Sequence, residues 1–135
     1  MKNSAITLRA LHLVSHNYHN LTAGQTFFAD HGFFGDVYTA AGDAYDSVIE
    51  RCVGMHDYGP KELSDINEEA CSVMLKFEFS NTEHAFQSLQ VLEKFLCNAL
   101  EDDMKTASEG TKNLLAQLAD DSEVRQYKLK QRLKK

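Results

Sequence analysis

The stretch "HNYHNLTAGQTFFADHGFFGDVYTAAGDAYDSVIER", residues 16 to 51, concentrates the side chains most able to bind a metal. His16, His19 and His31 come early, and Asp36, Asp43, Asp46 and Glu50 come late. Imidazole nitrogen and carboxylate oxygen are donors that divalent transition ions accept. Three glycines, Gly32, Gly35 and Gly42, lie inside the same run, which otherwise has the periodicity of a helix.

Helices must position these groups. Ile6, Ala10, Leu11, Val14, Tyr18 and Leu21 share one side of a first helix, which "TAGQT" ends. A second helix covers residues 27 to 53 and stops near "GMHDYGP". A third runs from about Thr82 to Ala107 after an Asn81-Thr82 start, with Phe86, Leu89, Leu92, Leu96 and Leu100 as its stripe. A fourth begins near Glu109 and enters a basic tail, with Leu114, Leu115, Leu118 and Tyr127 inward. Short loops join helices one to two and three to four. Residues 54–81 form a long crossover in which "KELSDINEEACSVML" can make a short helix and "KFEFS" reads as helix or extended linker. The expectation is an all-α, ferritin-like four-helix bundle with a long crossover between helices two and three, in a single domain over residues 1–135.

On the second helix Phe33, Phe34, Val37, Tyr38, Ala41, Ala44, Tyr45, Val48, Ile49 and Cys52 make the inward face. Gly32, Gly35, Asp36, Gly42, Asp43, Asp46 and Glu50 lie opposite, with His31 at the boundary. On the first helix His12, His16 and His19 recur at i, i+4 and i+7, away from the apolar stripe. The candidate donors therefore line an outer surface that a second subunit could cover. A glycine inside a helix costs about 1 kcal/mol relative to alanine, so the glycines are expected where a partner helix approaches closely.

The residues carry a resemblance. The spacing of His19, His31, Asp46 and Glu50 resembles that of the Dps family of mini-ferritins. The run "FFADHGFFGDVYTAAGDAYDSVIER" looks like the family's second helix, with its D-x-x-x-E-R ending at Asp46, Glu50 and Arg51. "ALEDDMKTASEGTKNLLAQLADDSEVRQYKLKQRL" is similar to its third-to-fourth helix turn, with Gly110-Thr111 opening the last helix. The resemblance implies a homo-oligomer assembled into a hollow dodecamer, while the outer-face argument needs only a dimer. The resemblance also implies ferrous iron bound between two-fold related subunits by His19 and His31 of one chain and Asp46 and Glu50 of the other. A ferroxidase-type activity with iron storage or detoxification would follow. Three departures stand out. Gly35 occupies the family's usual carboxylate position one turn after the second histidine, Asn20 replaces an aromatic, and no lysine-rich N-terminal arm precedes the first helix. Asp36 lies beside Gly35 but about 100° round the helix, while His16, one turn from His19, could add a nitrogen. No E-x-x-H pair supports a di-iron site inside the bundle. The competing expectation is a ferritin-like structural or interaction protein, of the kind viruses also encode, that keeps the fold without the iron chemistry.

Composition narrows the rest. The chain has 135 residues, a formal charge of −6 and one proline. Residues 125–135, "RQYKLKQRLKK", hold six basic residues and no acid, leaving eight basic and twenty acidic residues, or −12, elsewhere. That balance argues against DNA as the main partner, except weakly through the tail. Cys52, Cys71 and Cys97 show no C-x-x-C spacing and are expected to be buried free thiols. No apolar run is long enough to span a membrane, and with no signal-peptide pattern the cytoplasm is the expected location. His56, Asp57 and His84 belong to no motif and are expected at the surface.

Overall fold

The computed structural model describes residues 1–135 and contains five helices and no strand: α1 (Lys2–Leu21), α2 (Phe27–His56), α3 (Pro60–Met74), α4 (Thr82–Met104) and α5 (Glu109–Arg132). Their ends follow local chemistry. Gly24, at φ +101°, turns the chain between α1 and α2, a conformation that costs a residue with a Cβ. Asp57 ends α2 in the left-handed region at φ +55°. Pro60 occupies the first turn of α3, while the Gly59 N–H donates to Glu62 Oε1 at 3.1 Å. Asn81 Oδ1 accepts from the His84 N–H at 2.9 Å at the start of α4, and Ser108 Oγ accepts from the Thr111 N–H at 3.4 Å at the start of α5.

Long-range bonds fix the topology. Ser4 near the start of α1 binds Asp103 near the end of α4, and Thr22 just after α1 meets Thr82 at the start of α4, so the two helices are antiparallel. Arg51 near the end of α2 reaches Thr111 at the start of α5, while Asp30 at the start of α2 pairs with Arg132 at the end of α5. Helices α2 and α4 therefore run in the same direction, and the crossover must return along the length of the bundle. Helix α3 makes that return beside α1, tied by Arg9 Nε to Asn67 Oδ1 at 2.9 Å and by Lys2 to Glu69 at 3.2 Å. This is a helical bundle with the expected long connection. The "KFEFS" segment is a turn followed by irregular chain, since a lone strand has no neighbour to pair with.

The core joins Leu8, Leu11, Val14 and Tyr18 of α1 to Phe34, Val37 and Val48 of α2, and to Phe86, Leu89, Leu92, Leu96 and Leu100 of α4. Buried Tyr18 donates its hydroxyl to the Phe77 carbonyl at 2.7 Å, satisfying its one polar atom and pinning the linker before α4. Two inward assignments are corrected. Leu21 and Tyr127 are exposed, because Leu21 ends α1 beyond the core and Tyr127 lies on the outer side of α5. Leu129, not Tyr127, carries α5 into the core near its end. Cys52 is buried, and burial pushes its thiol upward, but Cys71 on α3 is exposed and Cys97 is partly exposed. No helix is long and apolar enough to cross a membrane.

The basic segment 125–135 largely continues α5, and half of its cations have partners. Arg125 pairs with buried Glu93, Arg132 with buried Asp30, and Lys135 with Glu83. Lys128, Lys130 and Lys134 remain outside ion pairs, a small basis for phosphate binding.

Candidate functional site

The histidines of α1 lie along the seam between α1 and α2, and two of them repeat one arrangement. His19 Nδ1–H donates to the His31 carbonyl at 2.8 Å, and His12 Nδ1–H donates to the Tyr38 carbonyl at 2.8 Å. In each case the acceptor is the carbonyl four residues before a glycine, Gly35 or Gly42. A Cβ on Gly35 would lie 3.2 Å from His19 Nδ1, and one on Gly42 would lie 3.0 Å from His12 Nδ1. Each ring thus fills the notch left by a missing side chain and reaches a helix carbonyl there. His12 and His19 are seven residues apart, as are Gly35 and Gly42, so the antiparallel helices repeat the contact after two turns. This corrects the expectation for these two glycines: the group that approaches them closely is an imidazole of the same chain. Nothing lies within 4 Å of a Cβ at Gly32, which the chain's own packing does not explain.

His31 returns the bond that His19 makes. Its Nδ1–H donates at 2.8 Å to the His19 carbonyl, one of the α1 C-terminal carbonyls left without a helical partner. The two rings stack with centroids 3.6 Å apart, and Phe27 continues the stack 4.7 Å from His31. A carbonyl only accepts, so Nδ1 carries the proton in His12, His19 and His31, and in the neutral ring the lone pair sits on Nε2. A backbone acceptor that sets the tautomer and holds the ring is the usual support of a metal-binding imidazole. His19 and His31 are half-buried, and their Nε2 atoms have no partner among the hydrogen bonds of the chain.

The carboxylates stand elsewhere. Asp46 and Glu50 are exposed on the outer face of α2, eleven or more residues beyond Gly35, or more than about 16 Å along the axis. The single chain does not bring them to the histidines, and no group of three or more His, Cys, Asp or Glu side chains converges within it. Asp36, Asp43, Asp46 and Glu50 take part in none of the chain's ion pairs. Asp36 turns toward α5 and lines a groove with Phe33, Val37, Ala40, Asp121 and Arg125, so it does not replace the absent carboxylate at Gly35. His16 is exposed and lies on the Tyr38 ring at 4.4 Å, between His12 and His19 at 6.1 and 6.3 Å. His56, Asp57 and His84 are exposed, as expected. Arg51, the last residue of the D-x-x-x-E-R pattern, has a bracing role, donating to Thr111 Oγ1 at 3.1 Å.

A contrast between two glycines follows. Gly32→Ala should stabilise the isolated chain by about 0.5–1 kcal/mol, because it gains helix propensity and meets nothing. Gly42→Ala gains the same propensity but must displace His12. It should stabilise less or not at all, and the hydrogen-bonded His12 Nδ1–H proton signal should disappear. Denaturant midpoints and proton NMR of the two variants measure both effects.

The chain matches no known family model, no characterised protein and no solved structure, so function must be argued from its own residues.

Proposed function

We propose that two copies of this chain bind and oxidise ferrous iron in a mini-ferritin-like site shared across a two-fold interface. Its ligands would be His19 and His31 of one copy and Asp46 and Glu50 of the other. The observation that carries the reading is the reciprocal, backbone-locked pair His19–His31, which presents two Nε2 lone pairs at the edge of an otherwise carboxylate-rich face. The pinned tautomers fit a metal donor set.

One antiparallel packing of two copies allows this pairing. When two copies of α2 pack antiparallel with His31 level with Glu50, Gly35 becomes level with Asp46, and Thr39 with Gly42. Asp46 of the second copy then arrives beside Gly35, the position on which His19 rests. Joining two such faces brings together carboxylates that have no cation within their own chains, an arrangement that repulsion opposes until positive charge enters. Ferrous iron, taken here as substrate, supplies that charge. Imidazole and carboxylate donors leave coordination positions open, and each ferrous ion gives one electron to oxygen or peroxide arriving there. Gly35 limits the site to fewer carboxylates, because the His19 ring occupies the space its side chain would need.

Anaerobic ferrous titration of metal-free protein tests the proposal, followed by oxygen or peroxide with mass measured in parallel. Saturable binding at up to two irons per two-fold site, with ferric absorbance on oxidant addition and a dimer or larger assembly, is the expected result. A well-folded assembly that binds no iron would favour the structural or interaction protein, with His19 in the Gly35 notch as a packing device.

A further inference from the structure

We propose that His12 and His16 form a second metal site, contained in one chain, for a divalent ion that favours imidazole, such as Cu2+, Ni2+ or Zn2+. The two residues are one turn apart on α1, and their ring centroids are 6.1 Å apart. The Gly42 notch and the Tyr38 carbonyl hold His12 with Nδ1 protonated, which leaves Nε2 as its donor. His16 has the opposite character. It is exposed, neither of its nitrogens makes a hydrogen bond within the chain, and only the Tyr38 ring at 4.4 Å rests against it.

One fixed donor and one adjustable donor suit capture from solution. The 6.1 Å centroid spacing is within the reach of two rings that share one ion at the distance of about 2.1 Å that imidazole–metal bonds require, with water completing the shell. His16 is equally near His19, at 6.3 Å, but the His19 ring is stacked on His31 and belongs with it to the shared site. The partner of His16 is therefore His12, whose Nε2 has no other use. Two neutral nitrogens without a carboxylate should rank the ions in the order Cu2+ above Ni2+ and Zn2+.

The test is a Cu2+ and Zn2+ titration of the untagged full chain carrying Asp46→Ala and Glu50→Ala, which removes the carboxylate half of the shared site but leaves α1 untouched. One saturable Cu2+ per chain is expected. Adding His16→Ala, a change at an exposed side chain without hydrogen bonds, should weaken it by more than the roughly tenfold that losing a supporting residue costs. In NMR, Zn2+ should shift the ring signals of His12 and His16 while the His12 Nδ1–H proton persists. Binding that survives His16→Ala, shifts confined to His19 and His31, or no saturable binding would overturn the proposal. Because the shared site lacks its carboxylates throughout, its own failure cannot imitate any of these outcomes.

Discussion

Replacing Arg125 with methionine should destabilise the fold by about 3–5 kcal/mol, the cost of leaving a buried charge without its partner. Glu93 is 1% exposed on the inward side of α4. Arg125 binds it through two bonds, Nε to Oε2 and Nη2 to Oε1, the latter at 2.9 Å, and Ser122 Oγ donates to Oε1 at 3.2 Å. Burial raises the Glu93 pKa, and the guanidinium and hydroxyl pull it partly back. Without Arg125 the folded-state pKa must climb further. A carboxyl whose folded pKa is raised binds more protons in the folded state. Its contribution is therefore present below the unfolded carboxylate range and lost as pH rises through the raised value. The difference between Arg125→Met and the parent protein should accordingly shrink as pH falls from 8 to 4.5. Replacing both Glu93 and Arg125 with methionine should recover most of the loss at neutral pH. Denaturant midpoints at several pH values measure all three effects. A pH-independent difference would show that the cost comes from lost packing and not from stranded charge.

The second large effect falls on iron. Asp46→Ala with Glu50→Ala, and separately His19→Ala with His31→Ala, should each weaken ferrous binding by more than about 100-fold, since removing supporting residues alone costs 10–100-fold. The two pairs should differ in their effect on the fold. Asp46 and Glu50 are exposed and unpaired, so their removal should leave stability nearly unchanged. His19 and His31 each satisfy a carbonyl of the other helix, so their loss should also destabilise the α1–α2 hairpin, by about 1 kcal/mol per bond. Equilibrium unfolding beside the iron titration separates the ligand role from the structural one.

Much of the scaffold was legible because periodicity and caps are local. Asn81 and Thr82 mark the start of α4, the Glu109 start of α5 holds, and the segment "KELSDINEEACSVML" is helical, now with Pro60 as its first residue. Periodicity failed where an element outruns the core. Leu21 and Tyr127 hold apolar positions in their helices but have no buried surface to meet. Long-range pairings were not legible. Glu93 interrupts an apolar stripe, which could have signalled a buried charge, yet its partner lay in a segment whose basic composition looked like a tail. Of the three glycines expected at close approaches, Gly35 and Gly42 do meet a neighbour and Gly32 meets nothing within the chain. For Gly35 and Gly42, however, the approaching group is an imidazole 16 or 30 residues earlier in the same chain, and only the register of α1 against α2 reveals it. The histidine and carboxylate faces lay outside the core as expected, and their separation along α2 makes any shared site depend on a second copy.

That dependence is open to a direct test by mixing. The His19→Ala/His31→Ala chain keeps the carboxylates, and the Asp46→Ala/Glu50→Ala chain keeps the histidines, so neither holds a complete site alone. Unfolded together and refolded as mixed assemblies, they should regain ferrous binding and oxidation at one of the two sites in each mixed pair. Pairs formed at random would then restore about one quarter of the parent capacity. Mixed assemblies, verified by mass, that bind no more iron than either variant alone would contradict a site shared between subunits.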